Sequence, residues 1–184
     1  MEGTVDRRSQ ILDVAARLFA ERGFHGVSVG DIGKAVGVSG PALYKHFDSK
    51  DAVLAQMLVA ISERLLAEGR ERVARADGPD AAIAGLVDWH VEFALAQPSL
   101  IVVQDRDWQA LPAEARERVR SLQREYVDLW AAQLRRRDSE LPLDRARAMA
   151  HAAFGLINST PHSSRLPEVA MRDLLARMAL RSLS

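Results

Sequence analysis

Proline and glycine punctuate this chain at intervals that leave room for helices and little else. Breaks fall at Asp77-Gly78-Pro79, Gln97-Pro98, Leu111-Pro112, Leu141-Pro142 and from Pro161 to Pro167. There a helix interior would lose an N–H to proline or its stiffness to glycine. Between the breaks apolar residues recur every three to four positions, and no sustained two-residue alternation suggests a strand. The segments predict helices at roughly 50–75, 80–96, 99–109, 113–137, 143–159 and 168–182. Three more before residue 50 make the expected fold all-α, with about nine helices.

The first of those three is amphipathic: Ile11, Ala15, Leu18 and Phe19 repeat at i, i+4, i+7 and i+8, and Gly23 follows Arg22 as a left-handed stop. A second begins at Ser28, with Asp31 three residues on as an imperfect capping box. Val29, Ile32, Ala35 and Val36 form its buried stripe and Gly37 its end. Gly37-Val38-Ser39 turns directly into a third helix, which should run from Gly40 to Phe47. Ser39 is placed to cap it, and Pro41 falls in the first turn, where a missing N–H costs nothing. At about 100° per residue Leu43 and Phe47 share one face, Pro41, Ala42 and Lys45 lie opposite, and Tyr44 and His46 flank that outer side. Ser49 looks like the cap of the next helix. Its first residue, Lys50, stands beside free N–H donors and the positive end of the helix dipole, a place for a phosphate.

Two short helices joined by such a turn and braced by a longer one make a helix-turn-helix, whose second helix enters the major groove. A helical hairpin that merely fills a core is the plain alternative. Caps, turn, exposed face and basic helix start all favour the first reading. The stretch from residue 8 to 54 resembles the N-terminal domain of the TetR family of bacterial transcriptional repressors. The resemblance is carried by Ile11–Phe24, by Ser28–Ser39, and by Leu43-Tyr44-Lys45-His46-Phe47 followed by Ser49-Lys50. It implies that Tyr44 and His46 contact the DNA backbone, that Lys50 contacts a phosphate, and that Gly40, Ala42 and Lys45 face the bases. Ser28, Ser39 and Pro41 complete the candidate DNA-facing set. Gly30 departs from the family pattern, in which a longer polar or basic side chain often reaches the DNA. The resemblance also implies a variable C-terminal region that binds a ligand and dimerises, hence two domains, 1–48 and 49–184.

Formal net charge is zero over 184 residues, and in residues 1–50 seven basic against six acidic side chains leave only +1. A nucleic-acid partner usually requires more, because phosphate neutralisation dominates affinity. The distribution offsets this in part: the only lysines, Lys34, Lys45 and Lys50, all fall inside the proposed DNA-binding unit. A few well-placed cations, doubled by dimerisation, predict a shallow salt dependence. No cysteine is present, so disulfides, thiolate metal sites and a cysteine nucleophile are excluded. The first eight residues carry charge with no apolar core behind it, and no apolar run approaches the ~20 residues of a membrane span. The expected location is the cytoplasm, without a membrane partner.

Aromatic residues make up 5% of the chain, and several stand in pairs at i, i+4: Trp89 with Phe93, and Tyr126 with Trp130. They either line an effector pocket or fill the bundle, since Val119, Leu122, Tyr126, Trp130 and Leu134 also make an ordinary amphipathic stripe. His90 neighbours Trp89, while His151, Phe154 and Asn158 share a face. Trp108 sits among charged residues on the 99–109 helix, an element that moves on ligand binding in the resembled family. The candidate effector residues are thus Trp89, His90, Phe93 and Trp108, together with Tyr126, Trp130, Phe154 and Asn158. For a dimer, Ala148, Ala152 and Gly155 let a helix approach closely, and Met171, Leu174, Leu175 and Met178 form an apolar stripe. Together they suggest a symmetric four-helix interface.

Catalysis finds no local support. His90-Val91-Glu92 lacks the spacing that puts two metal ligands on one helix face, no phosphate-cradling glycine loop follows a strand, and the five histidines are dispersed. No enzyme activity, cofactor or metal is expected. The expectation is a homodimeric, ligand-responsive regulator that represses from a palindromic operator and is released by a small, largely apolar effector. The alternative is a helical protein–protein interaction module without DNA specificity.

Overall fold

The computed structural model describes residues 7–38, 40–163 and 166–184, with the backbone alone at Gly40 and Pro41. The expected cap at Ser39 and the expected outward placement of the Gly40 and Pro41 side chains lie outside what is described. Ten α-helices and one 3-10 turn make up the described residues, with no strand among them. Two of the ten, α3 (Gly40–Leu43) and α9 (Thr160–Ser163), are single turns. The all-α expectation holds, and the helix count is close to it.

Packing divides the chain into two compact units: one runs up to Ala60 and includes Ser99–Val119, the other is Ile61–Pro98 with Arg120–Ser184. These units do not coincide with a cut after Asp48. A contact far apart in sequence explains the difference. The first unit holds α1 (Arg7–Arg22), α2 (Val29–Val36), α3, the start of α4 (Lys50–Ala74), and nearly all of α6 (Pro98–Asp107). Arg106 of α6 donates to the carbonyls of Phe19 and, at 3.0 Å, Ala20 in the last turn of α1, where Phe19 O also accepts from Gly23 N–H at 2.8 Å. Its guanidinium is steadied by Asp107, a buried carboxylate 3.2 Å away.

Glycines at φ 78° (Gly23) and 77° (Gly37) end α1 and α2 in the left-handed conformation, as expected. The third helix is shorter than expected. After Leu43 the chain tightens, with His46 N–H bonding Leu43 O at 2.9 Å and Lys45 N–H bonding Ala42 O at 3.3 Å, both i→i−3. Phe47 N–H still reaches Leu43 O at 3.1 Å, so the two residues keep one inward face. They join Ile11, Phe19, Ile32 and Leu54 in the core of this unit.

In the second unit α5 (Pro79–Ala96) is apolar nearly all round, with nine buried residues. Such a helix belongs at a centre, and α8 (Leu143–Ile157) and α10 (Glu168–Ser182) both pack on it. The α7 helix (Ala113–Arg137) enters this unit from Arg120 onward. Gly69 lets α4 approach closely: a Cβ there would stand 2.8 Å from the Tyr126 ring. The helix expected over 143–159 is observed to Ile157, two residues short, and the single turn α9 follows it. Ser159 turns back on Leu156 O through its hydroxyl at 2.8 Å, and Pro161 cannot donate to continue the ladder.

Candidate nucleic-acid interface and effector site

The helix-turn-helix is built from its caps outward. Ser28 Oγ accepts from Asp31 N–H at 3.1 Å, while Ser28 N–H and its hydroxyl donate to Asp31 Oδ2 at 2.8 and 2.6 Å. The box that the sequence offers in imperfect form is complete. These bonds from Ser28 hold the Asp31 carboxyl below the usual aspartate range. At the other end Gly37 and Val38 return N–H bonds to Lys34 O and Gly33 O, closing a Schellman-type stop. The chain is therefore locked on both sides of the turn that leads into α3.

On α3 and the turn after it, Leu43 and Phe47 are 0% and 2% exposed, whereas Tyr44 is 54% exposed and Lys45 is exposed as well. Ala42 and His46 are half-buried. Gly30 is exposed near the start of α2, where a Cβ would meet only Ser28 Oγ at 3.6 Å, so space does not demand glycine. Ser49 caps α4, accepting from Ala52 N–H at 3.0 Å. Lys50 has a different occupation from the one expected of it. Its ammonium donates to Phe24 O at 2.7 Å and Val27 O at 2.8 Å and lies 4.2 Å from the Phe24 ring centroid. It clamps the loop between α1 and α2, and that loop competes with a phosphate for the same charge.

In the second unit, six of the eight candidate effector residues come together. His90 lies 3.2 Å from Asn158 through Nε2 and 3.4 Å from the Tyr126 hydroxyl through Nδ1. Because Asn158 Oδ1 accepts, Nε2 carries the proton, and Nδ1 accepts from Tyr126. Burial lowers the His90 pKa to about 4, with the Asn158 bond opposing it, so the imidazole is neutral. Burial likewise pushes the Tyr126 phenol far up. The Phe154 ring stacks 4.7 Å from His90 and 5.5 Å from Tyr126, Trp130 meets Phe154 edge-on at 4.9 Å, and Phe93 lies 5.8 Å from His90. These rings pack on one another rather than around an open chamber. Trp130 Nε1 is buried near the Tyr126 hydroxyl without a bond of acceptable geometry.

The other two candidates lie elsewhere. Trp89 shares α5 with His90 but donates to Leu65 O at 3.2 Å and stands under Arg64 and Arg72 at 5.5 and 5.6 Å. Trp108 is half-buried in the 3-10 turn of the first unit. Beside the ring cluster runs a cleft of about 400 Å³ between α7 and α8, which the sequence reading passed over. Arg120, Gln123 and Arg124 line its α7 side above Val127, and Asp128 faces Arg147 and His151 of α8. Arg147 Nε donates to Asp128 Oδ1 at 2.6 Å. The i, i+4 spacing of Arg120 and Arg124 was visible in the sequence, but the arrival of Arg147 was not.

The residues expected at a dimer interface divide. Ala148, Ala152, Gly155 and Met178 are exposed and Leu174 half-buried, but Met171 and Leu175 are 4% and 3% exposed and belong to the unit's own core. A stripe alone does not say which of its neighbours covers it. Val169 on α10, 81% exposed, and Leu166 just before that helix, 49%, add apolar surface. No single helix among the described residues is long and apolar enough to cross a membrane, and no group of three metal-ligating side chains occurs among them.

Comparison with known proteins bears on both units. The family model for bacterial regulatory proteins of the tetR family matches residues 11–57, and a model for the tetracyclin repressor-like C-terminal domain matches residues 76–162. The HTH-type transcriptional repressor KstR2 of Rhodococcus jostii (strain RHA1) is 35% identical over 129 residues, 70% of this chain and 63% of its own length. The chain thus spans less than two thirds of that relative. A TetR-family transcriptional regulator from Bordetella parapertussis 12822 has the same fold with a TM-score of 0.83 and 27% identity, covering 96% of this chain and 95% of that one. AibR, solved in complex with isovaleryl coenzyme A and operator DNA, has a TM-score of 0.73 at 20% identity over 94% and 97% of the two chains.

Proposed function

The chain belongs to the TetR family of bacterial regulatory proteins, and we propose on that premise that it is a homodimeric repressor whose hold on operator DNA is released by a small effector. One observation carries the DNA reading. On α3 and its following turn the side chains that fix the helix point inward, and Tyr44 and Lys45, side chains suited to phosphate and base, point out. In this reading residues 1–48 serve DNA binding and 49–184 receive the effector and the partner subunit. Tyr44 and His46 position the head on the backbone, and Ala42 and Lys45 face base edges. The α4 start adds its backbone N–H groups at the phosphate; Lys50 contributes chiefly by holding the loop that orients α2.

One short helix makes too few contacts for specificity, so two heads are needed on successive major grooves. The exposed small-residue row Ala148, Ala152 and Gly155, with Leu174, Met178 and Val169, is the surface that supports pairing of two copies. An effector acts by binding better to a dimer geometry whose heads no longer match the half-site spacing. AibR was solved with an acyl thioester, isovaleryl coenzyme A. For this chain, a largely apolar effector with one or two polar groups is the class we propose. Selection from random DNA followed by fluorescence anisotropy tests the reading: a palindromic sequence should be enriched, with a shallow fall of log affinity against log salt. A folded protein that enriches no sequence overturns it.

A further inference from the structure

Arg8, in the first turn of α1, is exposed yet held in one place. Its Nε and Nη2 both donate to Gln56 Oε1 of α4, at 2.9 and 2.5 Å, and its guanidinium carbon lies 4.9 Å from the Phe47 ring centroid. A neutral amide and an aromatic face thus fix the plane of the fork without cancelling its charge. No carboxylate pairs with it among the described residues, not even Asp48 directly after Phe47, whereas the exposed Arg70, Arg147 and Arg177 of the second unit each pair with one. Two of the five N–H donors of a guanidinium are used on Gln56, which leaves three for another acceptor. Stability alone does not ask for this arrangement: a cation in the first turn opposes the helix dipole, and no acidic residue stands in that turn to offset it. Phe47 follows Tyr44, Lys45 and His46 in the chain, so the fork stands beside the segment read as facing DNA. Lys50 directs its donors to the Phe24 and Val27 carbonyls, leaving a phosphate beside this segment to a different cation.

We propose that Arg8 is a phosphate contact of the DNA-binding head, a cation held ready by Gln56 and Phe47 for the duplex backbone. The proposal rests on the DNA-binding reading above and adds to it a contact from α1. An arginine–phosphate bond is charge-assisted and planar, and here the fork is already set in the free protein, so little side-chain freedom is lost when the bond forms. Its two partners divide the work: Phe47 supplies a surface for the guanidinium, and Gln56 fixes which edge remains open. A phosphate carries no sequence information, so the contact strengthens binding to every duplex alike. A dimer carries it twice.

The test is fluorescence anisotropy of the full chain on its selected operator and on a scrambled duplex, across a range of salt concentrations. Arg8→Gln should weaken both duplexes about tenfold at low salt and lower the slope of log affinity against log salt by about 1 per head, hence about 2 per dimer. Arg8→Lys keeps the charge and loses the fork, so the slope should stay while affinity falls by less than in Arg8→Gln. Gln56→Glu separates a contact from a brace: its carboxylate should pair with Arg8 and hold the urea midpoint where it was or raise it, yet weaken both duplexes and lower the slope. Combined with Arg8→Gln, it should weaken binding by less than the product of the two single effects, because the same charge is lost. An unchanged slope in Arg8→Gln, or a Gln56→Glu chain that binds as tightly as the wild type, would overturn the contact and leave Arg8 as a brace of α1 on α4. A folded wild type that enriches no sequence ends the DNA-binding reading and the contact with it, whereas one that holds its operator while the Arg8→Gln slope stays put ends the contact alone.

Discussion

The two units differ in where their polar groups are met, although cations reach main-chain carbonyls in both, Arg135 to Leu141 and Arg137 to Leu183 in the second. In the first, cations reach across to main-chain carbonyls: Lys50 to Phe24 and Val27, Arg106 to Phe19 and Ala20. In the second, the buried polar centre is a neutral relay from Tyr126 through His90 to Asn158. Position accounts for the contrast. A helix leaves four C=O groups unpaired at its end, and the carbonyls that Lys50 and Arg106 meet lie in the last turn of α1 and in the loop between α1 and α2. Charged side chains near the surface meet that demand at little desolvation cost. A bundle of helices 15 to 25 residues long has few ends and a wide interior, where only uncharged donors and acceptors are tolerated.

The largest effect separates anchoring from recognition inside the first unit. Phe47→Ala should cost about 3–5 kcal/mol of stability, since the ring is almost fully buried in a small core. Tyr44→Ala should leave the urea midpoint in place and weaken operator binding for every sequence alike. Chemical denaturation paired with anisotropy distinguishes them, and a matched loss of stability in both variants would remove the division between inner and outer faces.

Next in size is the acid response of the second unit. Unfolded histidine takes a proton near pH 6.5, whereas His90 in the fold does so only at about 4. Between those values the unfolded state binds more protons, so stability should fall as pH falls, by about 3 kcal/mol across the window. Urea titrations at steps of pH should show that slope in the wild type and a flatter one in His90→Gln. Identical slopes would mean that the imidazole is not held neutral by burial.

Lys50→Met sharpens the contrast from the other side. The stem and its burial are kept, while two charge-assisted bonds are lost and the Phe24 and Val27 carbonyls are left to water, a cost of about 2 kcal/mol for a half-buried group. Hydrogen exchange should quicken in the 23–28 loop before it does in α4. If stability and exchange stayed as they were while operator affinity fell, Lys50 would be a phosphate contact and not a clamp.

What was legible in the sequence follows the same division. Many features made by neighbours along the chain could be read: the stops at Gly23 and Gly37, the caps at Ser28 and Ser49, and the shared face of Leu43 and Phe47, though not the tightening after Leu43 that shortens α3. Features made by distant partners could not. Lys50 bonds carbonyls 23 and 26 residues away, and Arg106 reaches back 87 to Phe19. The pair Trp89 and Phe93 looked like one aromatic face, yet Trp89 is drawn to Leu65 O and two arginines while Phe93 joins His90. Periodicity reports that a face is covered and is silent about what covers it, which is why Met171 and Leu175 read equally well as interface and as core.

The smallest effect tests the local end of the comparison. Ser28→Ala should cost about 1 kcal/mol, because the hydroxyl is the acceptor for Asp31 N–H and a donor to the Asp31 carboxylate. The cost should itself depend on pH. Asp31 has a folded pKa below its ordinary 3.8, held there by Ser28, so its contribution is complete above 3.8 and is lost as pH falls through the lower folded value. Wild type and Ser28→Ala should therefore differ at neutral pH and converge in strong acid, well below the window in which His90 acts. A difference that stays constant to the lowest pH would assign the cap to the N–H bond alone and leave the carboxylate without a part in it.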